Sequence, residues 1–187
     1  MQLLIEAGNT YVKVAQLFDN GTFELLGRYP SRKLEMVLEP LLEKGINRIV
    51  FASVGPVEVD NSIQRISQLA NIPVMQVKTL RKDFGVKNAY AEYQYLGVDR
   101  WLTLVAIHQE FKKPTVIVDI GTALTFDVLS EDGKHLGGWI APGYQLMMKS
   151  VLENTTKVFS DRDHSETITF ADNTADGKTQ AKRYNFR

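Results

Sequence analysis

A short pattern occurs twice in this chain, and it constrains the possible folds more than any other feature. In the first copy, Glu6-Ala7-Gly8-Asn9 ends an apolar stretch typical of a strand, and Asp119-Ile120-Gly121-Thr122 does the same in the second. Each copy is followed by another strand pattern and a hairpin signal, Asp19-Asn20-Gly21 or Asp132-Gly133. Two such copies predict duplicated domains that face one another.

The segments around the two copies predict strands that alternate with helices. Strands are expected at 2–7, 10–18, 22–29, 48–54 and 73–79, and helices near 31–44, 60–70 and 97–111. Pro40 weakens the first of these helices. From residue 115 the opening arrangement recurs, which indicates a mixed α/β fold. We place one domain at 1–112 and a second at 113–187, joined at Lys112-Lys113-Pro114.

Composition excludes several classes of function. The chain of 187 residues carries 22 basic and 22 acidic residues, so no overall field attracts nucleic acid or an anionic membrane. It contains no cysteine, which rules out disulfides, thiolate metal sites and cysteine nucleophiles. Neither a signal peptide nor an apolar run of membrane-spanning length is visible. We therefore expect a cytoplasmic enzyme with no nucleic-acid or membrane partner.

The two repeated corners have the composition of phosphate-binding turns. A glycine lets a phosphate approach backbone N–H groups closely, and short polar side chains add hydrogen-bond donors. The candidate phosphate contacts are Gly8, Asn9, Thr10, Gly121, Thr122 and Thr125. Carboxylates at the strand ends, Glu6 and Asp119, can hold a hydrated Mg²⁺ ion beside a nucleotide. In the alternative interpretation, both acids only cap turns and both glycines only permit a positive φ.

A third group of candidate residues lies where a helix is predicted to begin, in Gly97-Val98-Asp99-Arg100-Trp101. Asp99 is a candidate general base that receives a hydroxyl proton during phosphoryl transfer, and Arg100 is a candidate contact for an anionic substrate. The alternative interpretation makes Asp99 the N-cap of the helix and Arg100 an ordinary ion-pair partner.

Other catalytic motifs find no support. Gly177-Lys178-Thr179 lacks the upstream glycine of a nucleotide-binding P-loop. The three histidines, His108, His135 and His164, do not have the spacing of metal ligands, and no serine lies in the elbow motif of hydrolases. The two corners and the Asp99 segment therefore carry the functional prediction.

Together these segments resemble the signature motifs of type III pantothenate kinases. The matching segments are 6–10, 97–101 and 119–125, in the family's order and at similar separations. Further similarity lies at 52–56, 88–90 and 137–143, so that the resemblance covers about residues 1–158. The set is specific, because the aspartate-arginine segment is not general in the wider superfamily of actin-like ATPases and sugar kinases.

The resemblance implies an α/β fold of two ribonuclease H-like (actin-like ATPase) domains, in which mixed sheets are flanked by helices. It also implies transfer of the γ-phosphoryl group of ATP to pantothenate. The product, 4′-phosphopantothenate, is formed in the first step of coenzyme A biosynthesis. Homodimers that require Mg²⁺ and a monovalent cation, K⁺ or NH4⁺, are typical of the family.

Residue roles follow from the same resemblance. Asp99 matches the proposed base, Glu6 and Asp119 match the acids on the metal and phosphate side, and Asp119 also matches the monovalent-cation contact. Lys13 is assigned to the nucleotide phosphates. The implied substrate contacts are Tyr90, Gly97, Val98, Arg100 and Thr174.

Two departures from the family pattern affect these expectations. The family has aspartate where this chain has Glu6, and the extra methylene would displace a metal by about 1 Å, which can cost roughly a hundredfold in rate. The chain ends at Arg187, before several elements of the family pattern, so we expect an incomplete second domain. Two alternatives stay open: an inactive or accessory nucleotide-binding relative, and a kinase for another small hydroxylated metabolite.

Overall fold

The computed structural model describes residues 1–155, which form two compact units. The first unit contains Met1–Pro114 together with Leu129–Leu136, and the second contains Thr115–Val128 and the described residues from Gly137 onward. Each unit combines strands with helices, which confirms the mixed α/β class. The assignment of 1–112 and 113–187 as separate domains stays a prediction.

A five-stranded sheet forms the centre of the first unit. Its strands are β1 (Gln2–Ala7), β2 (Tyr11–Leu17), β3 (Phe23–Pro30), β4 (Arg48–Ser53) and β5 (Val74–Gln76). The strand order is β3-β2-β1-β4-β5, in which the first three strands pair antiparallel and β1, β4 and β5 pair parallel. Because parallel neighbours cannot be joined by a tight turn, helix α2 (Val57–Leu69) connects β4 to β5.

Successive side chains of each strand point to opposite faces of the sheet, and this alternation decides which of them form the core of this unit. Leu3, Ile5 and Ala7 of β1 are buried on one face of the sheet, whereas Glu6 between them is exposed on the other. The buried face packs against α2 and against helix α1 (Leu34–Leu42), which leads into β4. The core cluster also includes Val12, Val14, Leu34, Leu38, Ile49, Phe51, Ile63 and Ile66. The opposite face is therefore free to carry polar groups.

Helix α1 differs from its prediction at both ends. Ser31–Lys33 forms a 3₁₀ turn, and the α-helix continues through Pro40 for two further residues. Leu34 and Leu38 are buried one turn apart, and this packing outweighs the poor helix propensity of proline. An ion pair of 2.5 Å between Glu35 and Arg65 links α1 to α2. Hydrogen bonds from Arg65 and then from Ser62 lower the pKa of Glu35.

The segment between β5 and the last helix of the first unit contains elements that the sequence did not predict. Two short strands, β6 (Lys82–Asp83) and β7 (Val86–Lys87), form a hairpin, and Tyr93–Tyr95 forms a 3₁₀ turn. Helix α3 (Val98–Phe111) follows, close to its predicted bounds. The backbone N–H of Lys87 donates to the carbonyl of Gly133 over 2.9 Å, so that the 129–136 hairpin tip is hydrogen-bonded within this unit.

The second unit is built on a three-stranded sheet. Its strands are β8 (Thr115–Ile120), β9 (Ala123–Leu129) and β10 (His135–Pro142), in the order β10-β9-β8, and helix α4 (Tyr144–Asn154) follows. The strands agree with the predicted repeat of the opening arrangement, whereas α4 was not predicted. Within residues 1–155, every helix is too short or too polar to cross a lipid bilayer.

Candidate functional site

The first corner joins β1 to β2 through Gly8, Asn9 and Thr10. The N–H of Gly8 donates to the carbonyl of Tyr11 over 2.9 Å, so this N–H is used within the turn. A Cβ atom on Gly8 would lie 3.2 Å from the same carbonyl oxygen, which is a tight approach. The side chains of Asn9 and Thr10 are exposed at the tip. The corner therefore offers polar groups on a turn that glycine keeps compact.

Glu6 and Lys13 flank this corner on the exposed face of the sheet. They are register partners on the antiparallel strands β1 and β2, and the Lys13 ammonium lies 2.9 Å from a carboxylate oxygen of Glu6. Both side chains are about half exposed, at 46% for Glu6 and 53% for Lys13. A carboxylate and an ammonium group therefore lie side by side next to the turn, and both are accessible from solvent.

The glycines at the two corners do not serve to permit a positive φ. Six other glycines in residues 1–155 have φ in the positive range, and neither Gly8 nor Gly121 is among them. That part of the alternative interpretation is therefore wrong. Close approach of neighbouring backbone atoms explains the glycine at Gly8 instead.

A second glycine, Gly55, packs directly against the first corner. The N–H of Val54 donates to the carbonyl of Ala7 over 2.9 Å, which extends the pairing of β4 with β1. A Cβ atom on Gly55 would lie only 2.6 Å from the carbonyl oxygen of Gly8, a separation that real Cβ atoms do not adopt. The sequence showed 52–56 only as a point of resemblance. The close packing of Gly55 against the Gly8 carbonyl joins residues that are distant in the sequence, so the sequence alone did not reveal it.

Helix α3 begins at the segment that contains the candidate base. Gly97 is the N-cap, Val98 is the first helical residue, and Asp99 lies in the first turn. The alternative in which Asp99 is the N-cap is therefore wrong. The Oδ1 atom of Asp99 accepts a hydrogen bond of 2.8 Å from the N–H of Arg100, and the positive end of the helix dipole favours the carboxylate there.

The same short segment, Val54–Gly55, contacts both the first corner and the start of α3. Gly55 lies against Gly8, and a Cβ atom on Gly97 would lie 3.6 Å from a methyl carbon of Val54. The end of β4 therefore brings the Gly8 turn and the Asp99 helix start into one region of the first unit. Sequence reasoning named both places but not the residues that join them.

Arg100 and Tyr90 form a partly buried pair beside Asp99. The Arg100 side chain is 9% exposed, and its Nη1 donates to the Tyr90 hydroxyl over 3.3 Å. The Tyr90 ring stacks on His135 with 6.1 Å between centroids, and Nδ1 of His135 accepts a bond of 3.4 Å from the N–H of Ala89. His135 is 1% exposed. The sequence offered no spacing signal for His135, because its partner is distant along the chain.

The second corner, in the second unit, has a similar construction. Asp119 is exposed near the end of β8, and the N–H of Gly121 donates to the carbonyl of Ala123 over 2.9 Å. Thr122 is exposed, whereas Thr125 on β9 is 9% exposed. A Cβ atom on Gly143 would lie 2.6 Å from the Thr122 carbonyl oxygen. Gly143 therefore packs closely against the second corner, as Gly55 packs against the first.

The sequence profile of type III pantothenate kinase matches residues 2–181. The chain belongs to the type III pantothenate kinase family. A type III pantothenate kinase from Pseudoalteromonas translucida is 36% identical over 178 residues, which cover 95% of this chain and 71% of the relative. The resemblance inferred from the three motifs is therefore confirmed, and with it the class of phosphotransferase. These relatives support ATP-dependent phosphorylation of pantothenate, which belongs to coenzyme A biosynthesis.

Solved structures confirm the fold of this pantothenate kinase family member. A protein named as a Baf family transcriptional activator from Campylobacter jejuni aligns with a TM-score of 0.55 at 22% identity, over 95% of this chain and 72% of its own. A protein named as a 2-dehydro-3-deoxygalactonokinase from Sinorhizobium meliloti aligns with a TM-score of 0.51 at 10% identity, over 83% of this chain and 58% of its own. At these identities the likeness shows the fold alone.

The carboxylates at the two corners meet only part of what a Mg²⁺ site requires. Among residues 1–155 no group of three or more acidic, histidine or cysteine side chains could enclose a metal ion. Mg²⁺ at a nucleotide site needs only one or two carboxylates, because phosphate and water oxygens supply the other ligands. Exposed Glu6 and Asp119 meet that need in donor type. Thr174, the last predicted substrate contact, lies outside the described residues.

Proposed function

We propose that this chain transfers the γ-phosphoryl group of ATP to the terminal hydroxyl of pantothenate. The observation that carries the proposal is the Val54–Gly55 segment, which contacts the Gly8 turn on one side and Gly97 on the other. Phosphoryl transfer needs a phosphate and a hydroxyl held close together beside a base. A polar turn and a helix start with a carboxylate, packed on one short segment, meet this requirement.

On the nucleotide side, the first corner binds phosphate through the groups at its tip. Since the N–H of Gly8 is used within the turn, the donors are those of Asn9 and Thr10, and Gly8 keeps the approach open. Lys13 supplies positive charge beside them. At the second corner the N–H of Gly121 is likewise used within the turn, so Thr122 and Thr125 are the corresponding phosphate contacts, and Gly121 keeps the approach open.

On the acceptor side, Asp99 acts as the general base. The hydroxyl oxygen of pantothenate attacks the γ-phosphorus, its proton passes to the Asp99 carboxylate, and the bond to the β-phosphate oxygen of ADP breaks. Arg100 holds the carboxylate of pantothenate, and its contact with Tyr90 orients the guanidinium. Gly97 and Val98 line the pocket, and the predicted contact of Thr174 with the substrate stays a prediction from the resemblance.

The cations, the assembly and the location belong to the same proposal. Glu6 in the first unit and Asp119 in the second are each candidate ligands for Mg²⁺, which would neutralise charge on the transferred phosphoryl group. Asp119 would also contact K⁺ or NH4⁺, the active form would be a homodimer, and the enzyme would work in the cytoplasm. The exposed carboxylates at both corners support the cation contacts, and the resemblance to the family suggests the homodimer and the cytoplasmic location.

Detection of phosphopantothenate by mass spectrometry, after incubation with ATP, Mg²⁺ and K⁺, tests the proposed activity. The expected result is a product that depends on all three additions. Calorimetry that finds ATP and pantothenate bound without turnover would instead support the accessory role. If only another hydroxylated metabolite is phosphorylated, that metabolite and not pantothenate is the acceptor. Mass photometry of the same sample tests the homodimer.

A further inference from the structure

Arg28 stands next to Lys13 in a row of charged side chains that crosses three strands. Glu6 on β1 is the register partner of Lys13 on β2, and Lys13 is the register partner of Arg28 on β3. Register partners project from the same face of a sheet, so all three side chains share the exposed face. Each of the three is exposed to solvent.

This row contains an unfavourable pairing of like charges. Two cations directly opposite one another on neighbouring strands repel and destabilise the sheet. Glu6 supplies one carboxylate, and Lys13 binds it over 2.9 Å, so the row of two cations and one anion keeps a net positive charge. Locally unfavourable pairings such as this one are found mainly at functional sites, where a ligand can compensate for the repulsion. A bound anion would compensate here.

Tyr11 directs the Arg28 guanidinium toward the first corner. The Cζ atom of Arg28 lies 3.8 Å from the centroid of the Tyr11 ring, which is a close cation–π contact. Tyr11 follows Thr10 directly, and Pro30 at the end of β3 is its register partner. The guanidinium is therefore held at the end of the sheet that carries the turn, and the ring limits its freedom to swing away.

We propose that Arg28, held on the face of Tyr11, is a second cationic contact for the phosphate chain of the nucleotide, beside Lys13. Arginine suits this role because its planar guanidinium can donate two parallel hydrogen bonds to phosphate oxygens. The ligand class is a di- or triphosphate, since a row of two cations is matched best by more than one phosphate group. The inference rests on the proposed function in one respect, namely that the first corner binds the nucleotide.

Calorimetric titration of the Arg28→Gln variant with ATP, AMP and inorganic tripolyphosphate tests this inference. Arg48→Gln is the matched control, because Arg48 is an exposed arginine on the same face of the same sheet, at the opposite end of the strands. We expect Arg28→Gln to weaken binding of ATP and tripolyphosphate by about 10- to 150-fold, the usual range for a charged hydrogen bond, and to leave AMP binding unchanged. Arg48→Gln should bind all three as the wild type does.

The role of Tyr11 is tested by a double-mutant cycle. Tyr11→Phe keeps the ring and should bind tripolyphosphate as the wild type does, whereas Tyr11→Leu should weaken it. If Tyr11 acts through Arg28, the double variant Tyr11→Leu/Arg28→Gln binds no more weakly than Arg28→Gln alone. Additive losses would overturn this part of the inference.

Binding measurements separate this inference from the proposed activity. Wild-type protein that binds tripolyphosphate but forms no phosphopantothenate would contradict the activity, and the Arg28 comparison would still decide the inference. Equal tripolyphosphate affinity of Arg28→Gln, Arg48→Gln and wild type would overturn it. So would a wild-type protein that binds neither ATP nor tripolyphosphate. Melting temperatures without ligand should change little in Arg28→Gln, because the variant removes both the repulsion from Lys13 and the favourable contact with Tyr11.

Discussion

A Cβ atom added to Gly97 would lie 2.5 Å from Oδ1 of Asp99, so the candidate base folds back over the glycine that precedes its helix. The backbone of Gly97, with φ −52° and ψ 136°, is open to any residue. A methyl group at this position would make the Asp99 carboxylate shift, because the carboxylate occupies the space that glycine leaves open. This relationship allows the position of the base to be tested without removing it.

Gly97→Ala should reduce kcat by roughly a hundredfold, because the new methyl group displaces the Asp99 carboxylate by about 1 Å. The fold should be retained, since alanine can adopt the backbone conformation. Steady-state kinetics and thermal unfolding check the two expectations. Ala106→Ser, an exposed change on the same helix, should leave both unchanged. Full activity of Gly97→Ala would show that the carboxylate position is not critical.

Asp99→Asn should lower kcat by about 10² to 10⁴, the usual contribution of a general base. The amide oxygen can still accept the N–H of Arg100, so the melting temperature and the binding of ATP should persist. Asp83→Asn is a close control, because Oδ1 of Asp83 also accepts the N–H of the following residue at 2.8 Å. A variant that turns over at the wild-type rate would remove Asp99 from the mechanism.

Glu6→Asp should increase kcat/KM by roughly tenfold to a hundredfold, because it restores the shorter side chain of the family pattern. In a titration of activity with Mg²⁺, the concentration needed for half-maximal activity should also fall. Stability should change by less than about 1 kcal/mol, since the Glu6–Lys13 pair is about half exposed. Glu24→Asp, an exposed exchange on β3, serves as control. A loss of activity would show that this site is built for the longer acid.

Gly55→Ala should destabilise the protein by about 1–3 kcal/mol and increase KM for ATP, because the methyl group would push the Gly8 turn out of place. Gly21→Ala offers a contrast, since its Cβ meets nothing within 4 Å and its cost comes only from a φ of 85°. That variant should lose about 1 kcal/mol or more of stability and keep the KM for ATP. Denaturant unfolding and ATP kinetics of the two variants separate the causes. Equal KM values would contradict the role of Gly55.

Most strands and the two corners were predictable, because the signals for them lie within a few consecutive residues. Burial alternates along β1, and Gly8 and Gly121 follow strand ends where they were expected. Prediction was poorer at 81–96, where strands of two residues have no period to detect, and at Pro40, where packing overrode propensity. The roles of the individual site residues stay predictions.

Local residue order was enough to establish the α/β class, the two glycine corners and the family motifs, since strand alternation and turn chemistry act between near neighbours. Packing of distant segments established the rest. The contact of Gly55 with Gly8, the placement of Val54 beside Gly97 and the stacking of His135 on Tyr90 join residues that are far apart in the chain. Such contacts depend on how the apolar faces of strands and helices come together, and no short stretch of sequence encodes that arrangement.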